Sequence, residues 1–243
     1  MILFAGVLCL GFTSCSGDDD NGGDKKAVGN GIYIINGHRF VDLGLPSGLL
    51  WAETNIGAAT AADDGNYYAW GETSPKSVYH WENYKYSEYE NYGYDDYPST
   101  MTKYNSTDGK TTLDKEDDAA YVNWGAPCRM PTKAQFGELL NSNNCTWQWT
   151  SKTTSNGSSI NGYVVVSVRN GNSIFLPASG YCYNEDPESY GTLGEYLSST
   201  LNDPTGSYSY IRYAYKLGSG SSHTKMFSDQ RCYGQPVRPV VEP

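Results

Sequence analysis

Histidine is scarce in this chain: 243 residues hold three, at His38, His80 and His223. They lie far apart in the sequence, and no Ser/His/Asp or Cys/His pattern surrounds them, which removes the usual nucleophile–base signatures. None of the six cysteines forms a Cys-x-x-Cys pair or a Cys/His spacing suited to zinc. No glycine motif is built to cradle phosphate. Basic residues are also few, with 17 Lys plus Arg against 27 Asp plus Glu and a formal net charge of −10. That balance argues against nucleic acid, or an anionic membrane surface, as the main partner. The apolar run at residues 1–12, MILFAGVLCLGF, is shorter than the about 20 residues that span a bilayer. What remains points to a chain that binds rather than one that catalyses. Glycosidase carboxylates are the exception, since their spacing is set in space and not in sequence.

The same apolar run has the length of a signal-peptide core. Leu10-Gly11-Phe12-Thr13-Ser14-Cys15 resembles the lipobox of bacterial lipoproteins. The resemblance implies removal of residues 1–14 and acylation of Cys15, with anchoring to a membrane through lipid. No Lys or Arg precedes the run, which departs from the pattern. Ser16-Gly17-Asp18-Asp19-Asp20-Asn21-Gly22-Gly23-Asp24 is polar, acidic and Gly-rich, so it lacks the apolar surface that ordering requires. Residues 15–30 therefore read as a flexible tether. An acidic stretch after the lipidated Cys also resembles the surface-export signal of Bacteroides-type lipoproteins, implying an outer-membrane or cell-surface address.

Tyrosine is the compositional outlier: 22, against 6 Trp and 6 Phe, with 27 Gly. Such a mixture suits recognition surfaces, where Tyr supplies contact area at low entropy cost. It equally suits β-rich folds with many turns. Beyond Cys9 and Cys15, four cysteines remain: Cys128, Cys145, Cys182 and Cys232. Export permits disulfides, and of the three full pairings the one joining Cys182 to Cys232 is favoured by their shared C-terminal location. The alternative is four buried free thiols.

Residues 31–243 read as one α+β domain of short strands and hairpins with two helices in the middle. Asn36-Gly37 separates Ile32-Tyr33-Ile34-Ile35 from His38-Arg39-Phe40-Val41-Asp42, a hairpin signal. Leu49-Leu50-Trp51-Ala52 and Asn66-Tyr67-Tyr68-Ala69-Trp70 read as strands. Residues 79–105 are Tyr-rich and acidic without a period, and read as a long surface loop. Asp114 is placed to cap a helix through Asp117 to Val122. Thr132 and Gln135 form a capping-box pattern ahead of the core stripe Phe136, Leu139, Leu140. A second Asn-Gly hairpin, at Asn170-Gly171, joins strands over 162–168 and 173–176.

Several motifs then recur in order. Val41-Asp42-Leu43-Gly44-Leu45-Pro46-Ser47-Gly48, Tyr68-Ala69-Trp70-Gly71-Glu72-Thr73, Arg129-Met130-Pro131-Thr132, Ile174-Phe175-Leu176-Pro177-Ala178-Ser179-Gly180-Tyr181 and Val237-Arg238-Pro239-Val240 resemble the Fibrobacter succinogenes major paralogous domain. The resemblance spans roughly residues 31–241 and implies a C-type-lectin-like fold without an established activity. Two positions depart from the family: Cys128 stands where it usually has Trp, and Leu197 where it usually has a second Trp. Each swap removes an aromatic, and the second is expected to loosen packing or reshape a pocket near residue 197.

A lectin-like fold implies a ligand face on the C-terminal loops, at residues 181–190 and 208–233. The candidate contacts there are Tyr183, Asn184, Tyr190, Tyr208, Tyr210, Arg212, Tyr213, Tyr215, His223 and Arg231. Alternation along 208–215 would split that segment between two strand faces. The implied role is binding or adhesion to a glycan or protein at the cell surface. The alternatives are a structural display module or fibre accessory subunit, a target of a diversity-generating retroelement, or an enzyme on the same fold. The calcium motifs of sugar-binding lectins, Glu-Pro-Asn and Trp-Asn-Asp, are absent. No cofactor is expected beyond a structural calcium, for which Asn202-Asp203-Pro204 and Asn184-Glu185-Asp186 offer hard oxygens.

Overall fold

Asn36 and Gly37 fix the first register. Both take left-handed backbone, with φ of 50° and 80°, the geometry whose twist matches that of the two flanking strands. His38–Asp42 pairs antiparallel with Ile32–Ile35. The Asn36 amide also donates to the carbonyls of Trp124 (2.8 Å) and Ala126 (2.9 Å). His38 stacks on Trp124 at 3.7 Å. A computed structural model describes this arrangement for residues 25–89, 100–203 and 210–242. The segment expected to be a signal peptide, Cys15, the acidic stretch up to Asp24, Pro204 and Tyr208 lie outside the described residues.

The meander grows into a five-stranded antiparallel sheet in the order Lys25–Gly29, Ile32–Ile35, His38–Asp42, Leu50–Ala52, Val240–Val241. Both ends of the domain thus meet in one sheet. Lys25–Gly29 corrects the tether's boundary: these residues, expected to be flexible, form an exposed edge strand because the next hairpin offers them an unpaired ladder.

Two α-helices follow. α1 spans Ala119–Trp124. Its cap is Asp118 rather than Asp114, because Asp118 is extended and accepts from the N–H groups of Ala120 (2.8 Å), Tyr121 (3.1 Å) and Met130 (2.8 Å). Asp114 leads only a 3₁₀ turn at Lys115–Asp117 and makes no side-chain cap bond. α2 spans Lys133–Leu140 with the expected capping box: Thr132 Oγ1 accepts from Gln135 N (3.3 Å), and Gln135 Oε1 accepts from Thr132 N (2.8 Å). Phe136 and Leu139 are fully buried, while Leu140 is half-buried.

A three-stranded sheet then runs Cys145–Thr153, Ser159–Ser167, Ser173–Pro177, with Trp147 and Trp149 both edge-on to Tyr163. A second is made of Leu193–Leu201, Tyr213–Gly220 and His223–Gln230. The strand expected from residue 208 begins at Tyr213, since Tyr210–Arg212 is a 3₁₀ turn. The segment read as a surface loop is largely built inward among its described residues. Trp81, Tyr84 and Tyr86 are buried, and Ser87–Glu88 pairs with Thr100–Met101.

Arg238 ties the pieces together. Its guanidinium is fully buried and donates to Asn55 Oδ1 (2.8 Å) and to the carbonyls of Ala52 (3.1 Å), Glu53 (2.9 Å) and Phe175 (2.9 Å). Burial lowers its pKa to about 10, so it stays charged at neutral pH. Arg238→Leu orphans these four acceptors. At about 1–3 kcal/mol for each buried group left unpaired, at least about 3 kcal/mol of stability is expected to vanish in urea unfolding.

Candidate functional site

The hairpin of Tyr181–Tyr183 with Asp186–Glu188 carries the site. It is stitched into the fold from two sides. Cys182 N–H donates to Gly234 O (2.7 Å) and Gly234 N–H to Cys182 O (2.9 Å), while Tyr79 and Asn184 exchange backbone bonds of 2.8 and 3.0 Å. Gly234 must be glycine, since a Cβ there would lie 2.7 Å from the Tyr79 ring. Strand alternation buries Cys182 and turns Tyr181 and Tyr183 to the other face.

Five rings line up there. Tyr181 stacks on Tyr233 (5.6 Å between centroids, planes 16° apart), and Tyr233 meets Tyr183 at 5.0 Å. His80 follows at 6.1 Å from Tyr183, and Tyr89 at 5.9 Å from His80. All five are half-buried, so each keeps part of its surface open. The row borders an open depression of about 550 Å³ lined by Val78, Tyr183, Asn184, Glu185, Asp186 and Glu188. Ring faces offer stacking area and attract cations. The three exposed carboxylates accept hydrogen bonds from hydroxyls or pair with basic groups. Burial pushes the Tyr233 and Tyr181 hydroxyls up, with nearby carboxylates adding to the rise, so both are neutral donors at physiological pH.

The sequence-predicted contacts do not form one face. Tyr183 and Asn184 sit on the ring row. Tyr190, 48 % exposed, lines a different depression with Asp63, Asp64 and Asn156. Tyr215 lies under the Lys133 ammonium, 3.5 Å from its ring centre. His223 is exposed at a hairpin tip beside Ser222. Tyr210 and Arg212 lie in the 3₁₀ turn and Tyr213 opens the strand that follows it. Arg231 is a correction: it is fully buried and donates to Tyr84 Oη (3.0 Å) and to the carbonyls of Lys103, Tyr104 and Ile211. Its guanidinium lies 4.7 Å from the Trp70 ring centre, so it serves the core. The Cys182–Cys232 bridge is also corrected, for Cys128, Cys145, Cys182 and Cys232 are all free, buried thiols. Burial raises Cys128, Cys145 and Cys182 to about 11, which keeps them protonated and unreactive.

His80, Tyr89, Tyr181 and Tyr233 were missing from the predicted contacts. The only local signal was the Tyr-Cys-Tyr alternation at 181–183. The departure at Cys128 falls on the wall of a second cleft of about 440 Å³, lined also by Leu113, Tyr121, Pro127 and Met130. Leu197, the other departure, is buried in the core at 3 % exposure. Of the two segments offered for calcium, Asn184, Glu185 and Asp186 reach the depression. Among the described residues, the carboxylates spaced for a metal are instead Asp114, Glu116 and Asp117. The Lys103 ammonium already contacts all three, at 2.8, 3.5 and 2.5 Å.

No protein-family model, no characterised protein and no solved structure matches the chain.

Asp117 generates a pH prediction. Burial pushes its carboxyl up, but hydrogen bonds from Lys103, Tyr104, Tyr86 and Lys85 outweigh this and hold it well below the usual carboxylate range. A depressed folded-state pKa means stability that is present above the unfolded value near about 4 and lost as pH falls through the folded one. Stability measured from pH 7 to pH 2 is expected to fall in acid. Asp117→Asn should cost about 2–3 kcal/mol at pH 7 and flatten that fall.

Proposed function

We propose that this chain is a cell-surface lipoprotein whose single lectin-like domain binds a glycan or protein partner. The row Tyr181, Tyr233, Tyr183, His80 and Tyr89 beside Glu185, Asp186 and Glu188 carries the reading. Half-buried rings are already ordered before a ligand arrives, so contact with them costs little conformational entropy. The carboxylates select a hydroxyl-rich or basic partner and, with a net charge of −10, oppose polyanions. The α+β arrangement of antiparallel sheets with two helices is compatible with a C-type-lectin-like domain. The ordered motifs from Val41 to Val240 support the major paralogous family.

Screening the purified chain against glycan arrays and surface proteins tests the binding reading. Tyr183→Ala and Tyr233→Ala are each expected to weaken a hit by about 2 kcal/mol, or about 30-fold, as central aromatic contacts do. Unchanged affinity in both variants would move the ligand face elsewhere.

Anchoring rests on Cys15, followed in sequence by the acidic, Gly-rich stretch that supports a tether. A single acyl chain binds marginally, so stable attachment needs the multiple acylation of a lipoprotein. Cys15→Ala should release the chain from the membrane fraction or block its processing. A variant that stays membrane-bound and normally cleaved would refute the lipid.

A further inference from the structure

Three adjacent strands bring Glu195, Lys216 and Asp229 onto one face. Lys216 pairs directly with Leu197 on one side and Phe227 on the other. Glu195 and Asp229 each stand two residues from those partners, so strand alternation turns both toward Lys216 as diagonal neighbours. Lys216 Nζ is in close contact with Glu195 Oε2 and lies 2.9 Å from Asp229 Oδ2. The Gln235 amide, turned to satisfy both its neighbours, accepts from Nζ at 2.9 Å and donates to Tyr233 O. The rings of Phe227, Tyr181 and Tyr233 surround the amine at 4.9, 5.4 and 5.9 Å. Lys216 is 1 % exposed and Glu195 3 %, whereas the Asp229 side chain is 28 % exposed.

We propose that Lys216 and Asp229 are joined by an amide bond that the folded chain forms itself, with Glu195 as proton carrier. The Lys216 ammonium gives a proton to the Glu195 carboxylate, and the freed amine pair attacks Asp229 Cγ. The Nζ–Cγ bond forms and one Cγ–O bond breaks. The departing oxygen takes the proton held on Glu195 and a second from Nζ, and leaves as water through the open side of Asp229. One cation and one anion become a neutral amide and one water, so atoms and charge balance without any further reactant. Glu195 ends as it began.

Two physical terms favour the step. Holding amine and carboxyl in contact makes a bimolecular reaction intramolecular. Condensation also removes a buried cation and one of its anions, charges that are costly to keep from water. The ring cage shields the amide from hydrolysis. Burial, against the opposing pull of Lys216, raises the Glu195 carboxyl and suits it to holding a proton. The bond would clamp the last hairpin of the sheet, directly ahead of Arg231 and the ring of Tyr233.

The test is peptide-level mass spectrometry on the purified full chain after denaturation and digestion. The expected product is one branched peptide linking Lys216 to Asp229, lighter by one water than the two separate peptides. It should disappear in Asp229→Ala and be lost or greatly slowed in Glu195→Gln. The wild-type measurement needs no variant to fold: unlinked peptides in wild type overturn the bond. A link from Lys216 to Glu195 overturns the assignment of partner. Full linkage in a folded Glu195→Gln chain overturns the proton carrier.

Discussion

Desolvated cations govern this fold. Arg238, Arg231 and Lys216 are each no more than 1 % exposed. A charge taken out of water costs several kcal/mol unless every donor finds a partner. Each cation therefore dictates what surrounds it. Arg238 recruits carbonyls from Ala52, Glu53 and Phe175, which fastens the N-terminal sheet to the hairpin sheet through a C-terminal residue. Arg231 recruits carbonyls from Lys103, Tyr104 and Ile211 and so draws two segments inward. Planar guanidinium suits such sites, since its fixed fork meets several acceptors at once and its face stacks on rings.

The tyrosine excess follows in part from this. A tyrosine supplies a ring face for a cation and a hydroxyl for an acceptor in one side chain. Tyr84 does both for Arg231. Tyr104 offers Arg231 its ring, at 5.8 Å, while its hydroxyl reaches Asp117 at 2.6 Å. Tyr86 shares Asp117 and lies under Lys85. Phenylalanine could not replace Tyr86 or Tyr104, because Asp117 would lose the donors that offset its burial. The composition that suggests a recognition surface thus also serves buried charge.

Features decided within a few residues were legible in the sequence. Asn36-Gly37 and Asn170-Gly171 dictate hairpins through backbone angles, and Thr132 with Gln135 closes a box across one helical turn. The Asp118 cap was harder, since the neighbouring acids Asp114 and Asp117 carry the same local signal. Met130 N–H, twelve residues away, adds a third bond to Asp118. Arg231 was misread because exposure is a property of what packs around a residue. In sequence it stands among Tyr, Cys and Gln as any surface Arg would. The ring row was only half legible, for His80 and Tyr89, Tyr181 and Tyr183, and Tyr233 come from three distant segments that meet through the Tyr79–Asn184 and Cys182–Gly234 bridges. The strand at Lys25–Gly29 was invisible for a related reason: its residues are all exposed, and the ladder it joins, not its own apolar content, orders it.

Tyr181 and Tyr233 connect the buried charge to the surface. Each lies within 6 Å of the Lys216 ammonium and is also half-open in the ring row. While Lys216 is an ammonium, its attraction holds both rings, and their orientation at the surface depends on the charge beneath. That attraction has a structural cost, because the Lys216 and Glu195 charges are both held away from water. An amide from Lys216 to Asp229 would remove the cation, and the rings would then be held by packing and by the stacking of Tyr181 on Tyr233. The proposed link would take over from the ionic trio the task of holding the last hairpin. The binding face proposed for these half-buried rings would gain from such a clamp, since rings fixed from below present their open surfaces without paying again for order when a ligand arrives.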